Sequence, residues 1–111
     1  MRRVFIWLDD IRNPRQFLSK EMYQCYEVIW LKSYDEFVKY IETHGLPARI
    51  SFDHDLGEYG INERNGYTAA NYLVDYCMDN EETLPEYTCH SANIVGKEKI
   101  LGLLNNFSKF Q

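Results

Sequence analysis

The chain has 111 residues, 45% of them hydrophobic and 26% charged, which suits one globular domain with its own core and leaves no room for a second. Seventeen acidic residues against twelve basic ones give a formal charge of −5, so a broad electrostatic attraction to duplex nucleic acid or to an anionic membrane is excluded. No apolar run approaches the ~20 residues needed to span a bilayer.

Residues 4–8 (VFIWL) read as a first strand. Asp9 and Asp10 interrupt its apolar run after five residues, too early for a secretory leader, and the three scattered cysteines, Cys25, Cys77 and Cys89, form neither a disulfide framework nor a CxxC pair. A reducing cytoplasm is expected, with all three as core or half-buried thiols. In 13–23, Asn13 as a cap and Pro14 at the first helical position predict a turn or two of helix. Residues 26–31 (YEVIWL) form a second strand, nearly continuous in apolar residues like the first, as strands covered on both faces are. Trp7 and Trp30 lie within these strands and are expected in the core or half-buried. Tyr34, Phe37, Val38 and Ile41 then fall at helical spacing. Ser33 and Glu36 make a capping-box pattern, Gly45 and Pro47 stop the helix, and His44 meets its C-terminal dipole. Residues 49–53 (RISFD) give a third strand, and the loop from Gly57 to Gly66, with three glycines, is placed to act as a lid. Ala70, Leu73, Val74, Cys77 and Met78 predict a helix from about Gly66 to Asp79. Residues 86–90 (EYTCH) read as a fourth strand, and Ile100, Leu101, Leu104 and Phe107 as a final helix. This alternation predicts an α/β fold: an open parallel sheet of about four strands with helices on both faces, one domain over residues 1–111.

In such sheets ligands bind beyond the carboxyl ends of the strands. Strand one ends in Asp9-Asp10-Ile11-Arg12, strand three in Asp53-His54-Asp55, and strand four in His90-Ser91-Ala92-Asn93. Asp9, Asp10, Asp53 and Asp55 in one crevice repel one another unless a cation neutralises them, and Mg²⁺ or Mn²⁺ suits an all-oxygen set. The plainer alternative is that Asp10 or Asp55 caps a turn or pairs with Arg12. His54 and His90 are candidates for general acid and base, or for metal ligands. Ser91 or Asn93 caps the last helix, leaving N–H groups that suit a phosphate. Arg12 is either a phosphate clamp or an aspartate's partner.

The acidic pair and the strand-three aspartate resemble the receiver domains of two-component signalling over nearly the whole chain. The resemblance implies that Asp9 and Asp10 hold Mg²⁺, that Asp53 stands at the phospho-acceptor position, and that Ser91 is the hydroxyl residue after strand four. Receivers also carry a lysine after a fifth strand, whereas Lys97 and Lys99 here fall inside the last helix. The combination LDDxRxP, FDHDLG and HSxN is more specific. It resembles the cyclic-phosphate processing receiver domains of bacteria and their phages, which have a receiver-like, flavodoxin-like fold. That resemblance implies hydrolysis or processing of cyclic phosphates on RNA ends or nucleotide-derived messengers. It also implies metal binding by Asp9, Asp10, Asp53 and Asp55, proton transfer by His54 and His90, and phosphate contacts from Arg12, Ser91 and Asn93. The expected partner is a phosphorylated small molecule or an RNA end rather than a long duplex. The alternative is a receiver-like module that binds a phosphorylated ligand or a partner protein without catalysis.

Overall fold

The computed structural model describes residues 2–58 and 63–111. Four parallel strands, β1 (Arg3–Leu8), β2 (Tyr26–Leu31), β3 (Arg49–Phe52) and β4 (Glu86–Cys89), form one sheet in the order β2-β1-β3-β4. Leu8 pairs with both Leu31 and Phe52, and Phe52 with Cys89, so all four strands finish level. The ladder runs one step further, through the amides of Asp9, Asp53 and His90, which donate to the carbonyls of Leu31, Leu8 and Phe52. That register sets Asp9, Asp53 and His90 in a row along one sheet edge.

Strands β1 and β2 are largely apolar on both faces, whereas one face of β3 and β4 carries Arg49, Ser51, Glu86 and Thr88, and the two faces of the sheet are covered unequally. Ile6, Leu8, Ile50 and Phe52 pack against α2 (Tyr34–His44), α3 (Gly66–Asn80) and α4 (Ile94–Ser108), burying Phe37, Ile41, Ala69, Ala70, Leu73, Cys77, Ile100 and Leu104. Alternation turns Phe5, Trp7 and Ser51 the other way. Right-handed crossovers put the β1–β2 connection on that second face, because it runs opposite to the later ones. The connection holds only a 3-10 turn (Pro14–Gln16), capped by Asn13, and a six-residue helix, α1 (Lys20–Cys25), with no buried residue. Single groups cover the face instead: Phe17 stacks on Trp7 at 6.0 Å, Tyr26 meets Phe5 edge-on at 5.5 Å, and the Arg49 guanidinium lies 5.5 Å over Phe5.

The helix boundaries follow their caps. Ser33 accepts from the Glu36 amide, and Gly45, at φ 80°, closes α2. Asn65 and Thr68 form a capping box that opens α3, and Asn93 accepts from the Gly96 amide to open α4. Helix α4 therefore begins six residues before the first residue of its apolar pattern, because Ile94 and Val95 in its first turn face outward. Cys77 and Cys89 are buried as expected, but Cys25 is exposed, since α1 presents no buried face. The lid expectation for 57–66 falls in part on 59–62, outside the described residues. On the far side of that gap, Arg64 ties the chain to Asp35 (2.6 Å) and Glu58 (3.2 Å). Among the described residues no helix is long and apolar enough to cross a membrane.

Candidate functional site

The chain leaving β1 is organised by Asp9, which is fully buried. Its Oδ1 accepts from the Ile11 and Arg12 amides, both at 2.9 Å, curling the loop back so that Asp10 and Arg12 come round toward Asp9 and Asp53. Its Oδ2 lies 2.9 Å from His90 Nε2 and 3.4 Å from Arg12 Nη1. Both tryptophans take part. Trp30 Nε1 donates to the Asp9 carbonyl at 2.7 Å, and Trp7 Nε1 to the Arg12 carbonyl at 2.8 Å. Trp7 is buried and Trp30 half-buried, as expected of strand tryptophans, and both indoles pin the acidic loop. The available signal was chemical: a buried indole N–H needs an acceptor, and the nearest spare carbonyls lie just past the strand end.

Asp53, ending β3, is 3% exposed. Its Oδ2 stands 3.4 Å from the same Arg12 Nη1, so one guanidinium nitrogen bridges Asp9 and Asp53. Asp9, Asp10 and Asp53 each bring an oxygen within 4.8 Å of the others. Their electrostatics differ. Burial raises the Asp53 pKa, the Ser91 hydroxyl partly offsets it, and the Asp9 charge adds to it. Burial likewise raises Asp10, helped by the charges of Asp9 and Asp55. For Asp9, burial works against the charged form but is outweighed by the Arg12 and Ile11 amides and His90, so its pKa falls. Three crowded carboxylates served by one half-exposed guanidinium are short of positive charge, and an all-oxygen donor set of this size fits a hard divalent cation such as Mg²⁺ or Mn²⁺.

Above the trio opens a cleft of about 190 Å³ lined by Asp10, Ile11, Arg12, Asp53, Asp55, Gly57, Ser91 and Ala92. Asp55, expected among the metal ligands, lies on the cleft wall outside the trio, its Oδ1 held 2.9 Å from His54 Nδ1. His54, expected to transfer protons, does not line the cleft. With Asp53 turned in, the bend at His54 carries its ring back against Gly96 of α4. Asn93, expected to contact phosphate, caps α4 and aims its amide at His54 (3.4 Å) and Asp55 (3.5 Å). His90 lies beneath the cleft, stacked on Trp7 with centroids 3.8 Å apart and both ring nitrogens engaged, by Asp9 and by Ser51. Burial depresses its pKa, against the opposing pull of Asp9. Arg12 and Ser91 do reach the cleft. His54→Ala is therefore expected to bind Mg²⁺ nearly as wild type does in calorimetry, without the about 10–100-fold loss that follows removal of a ligand's supporting partner.

Comparison with known proteins adds the context. The family model described as the cyclic-phosphate processing receiver domain matches residues 4–106. Among solved structures, a fusion carrying the yeast Spc42 trimeric coiled coil superposes with a TM-score of 0.62 at 16% identity, over 93% of this chain and 63% of that one. NtrX from Brucella abortus gives 0.62 at 16% identity, over 93% of this chain and 22% of that one. The BeF3-activated DrrB receiver domain gives 0.59 at 16% identity, over 93% and 79%. The chain thus spans less than two thirds of the first two, and at this identity the likeness is one of fold. No curated protein matches the sequence.

Proposed function

Because the chain belongs to the cyclic-phosphate processing receiver domain family, we propose that its carboxylate cleft is a divalent-metal centre that opens cyclic phosphodiesters on nucleotides or RNA ends. The observation that carries this reading is the Asp9-Asp10-Asp53 trio, with Arg12 bridging two of its members and Ser91 on the facing wall. Asp9, Asp10 and Asp53 would hold Mg²⁺ or Mn²⁺, and the bound ion would polarise a phosphoryl oxygen and neutralise its charge. Arg12 lies where it competes with a cation for Asp9 and Asp53. Once those carboxylates are otherwise satisfied, its guanidinium can turn to the phosphate, beside the Ser91 hydroxyl. Asp53 is the cleft's proton acceptor for an attacking water, and the proton ends on the ribose oxygen released when the P–O bond breaks. In this reading the proton-transfer role expected of His54 and His90 passes to carboxylates, since neither ring lines the cleft.

Arg12→Ala separates the two roles of the guanidinium. The variant is expected to bind Mg²⁺ at least as tightly as wild type in calorimetry, since a competing cation is gone, while kcat/KM falls about 100-fold for want of a phosphate donor. Weaker Mg²⁺ binding in the variant would contradict the competition. The reading as a whole is tested by incubating the protein with 2′,3′-cyclic nucleotides and a short RNA ending in a 2′,3′-cyclic phosphate, with Mg²⁺, Mn²⁺ or EDTA, and separating the products. Ring-opened monoester with metal and none with EDTA is expected. Binding without turnover in every metal would support the non-catalytic receiver-like module instead.

A further inference from the structure

Ser51 is the residue of the sheet that packing does not explain. In β3, Ile50 and Phe52 join the helix-covered core, and Ser51 projects to the opposite face, in register with Trp7 and Thr88. It is 3% exposed, and a hydroxyl removed from water is unfavourable there unless it finds a partner. Among the described residues that partner is His90 Nδ1, at 2.7 Å.

The His90 ring lies flat on Trp7, 6° from parallel. Stacking alone leaves two orientations related by a half-turn about Cβ–Cγ, which keep the plane but exchange nitrogens for carbons. Only one of them sets Nδ1 on Ser51 and Nε2 on Asp9 Oδ2, at 2.9 Å. A Ser51 hydroxyl that donates to Nδ1 also keeps the ring proton on Nε2, where the buried carboxylate accepts it. The three residues are Ser, His and Asp, but Ser51 is buried and absent from the cleft lining, so its oxygen has no access to substrate. Its role is orientation.

We propose that Ser51 is a positioning residue, which through the His90 imidazole fixes the Asp9 carboxylate at the metal centre. The proposal rests on the reading of Asp9, Asp10 and Asp53 as that centre. Mg²⁺ affinity by calorimetry for wild type, Ser51→Ala and Ser51→Thr, with ¹⁵N–¹H spectra of the His90 ring in the metal-free proteins at one pH, tests it. Ser51→Ala is expected to weaken Mg²⁺ binding about tenfold and to replace a single Nε2–H form with an exchanging pair, and Ser51→Thr is expected to restore both. Wild type that binds no Mg²⁺ overturns the metal reading and this proposal with it. Wild type that binds Mg²⁺ while Ser51→Ala binds it equally overturns the role of Ser51 alone. An Nδ1–H form in wild type overturns it too, even if Ser51→Ala fails to fold.

Discussion

Asp53→Asn is expected to abolish detectable Mg²⁺ binding, to lower turnover by at least about 100-fold, and yet to raise the melting temperature of the metal-free protein by a few degrees at neutral pH. The two effects share one cause. Asp53 ends its strand almost fully buried, and burial together with the neighbouring Asp9 charge raises its pKa. The folded state therefore holds this proton more tightly than the unfolded chain does. By linkage, stability is lost as pH rises from the unfolded carboxylate range through the raised folded value. A neutral Asn of the same shape removes that penalty together with a metal ligand. Thermal unfolding in EDTA and in Mg²⁺ reads both: wild type should gain stability with Mg²⁺, and the variant should start higher and gain nothing. A variant that is less stable in EDTA, or still stabilised by Mg²⁺, would contradict this view of the centre.

Gly66→Ala is expected to cost about 3–4 kcal/mol, a large fraction of what a domain of this size has. Gly66 opens α3 where the chain returns over the end of β3, its amide donating to the His54 carbonyl at 2.7 Å. A Cβ there would lie 2.0 Å from the Asp53 carbonyl oxygen and 2.9 Å from its carbon. Both are backbone atoms, so no side chain can swing aside. Helix α3 would have to lift off the sheet, loosening Ala69, Ala70 and Leu73 and tilting the peptide that carries Asp53. Gly102→Ala is the control. Nothing lies within 4 Å of a Cβ there, in the exposed middle of α4, so a gain of up to about 1 kcal/mol is expected. Urea unfolding of both variants is the measurement. A Gly66→Ala protein of native stability would mean that α3 does not cross β3 as described.

Much of this architecture is legible in the amino-acid sequence. The apolar runs 4–8 and 26–31, the Ser33 cap and the Gly45 stop carry local signals strong enough to name the elements, and the family pattern LDDxRxP, FDHDLG and HSxN agrees with the family that matches residues 4–106. Parallel strands ending level bring Asp9, Asp53 and His90 to one edge, so the site's location followed from topology. Side-chain direction past the strand ends did not. Asp9 and Asp10 are neighbours yet both join the trio, because two amide bonds to Asp9 Oδ1 break the alternation. Asp53 and His54 are neighbours too, but the bend at His54 carries its ring away, so only Asp53 faces in. The Asn65-Thr68 box carries no such signal, because Asn and Thr stand where the usual pattern has Ser or Thr and Glu. Ser51 is silent in the sequence, because a lone serine in a strand looks neutral until its partner, 39 residues away, is known.

If Asp9, Asp10 and Asp53 hold a metal that opens a cyclic phosphodiester in this cleft, the phosphorus of the substrate reports it. A ³¹P NMR time course of a 2′,3′-cyclic nucleotide with the protein and Mg²⁺ or Mn²⁺ tests it most directly. The cyclic diester signal is expected to give way to a 2′- or 3′-monoester with wild type and to persist with Asp53→Asn. A cyclic signal that persists unchanged with wild type in both metals, or one that decays equally with Asp53→Asn, would contradict it.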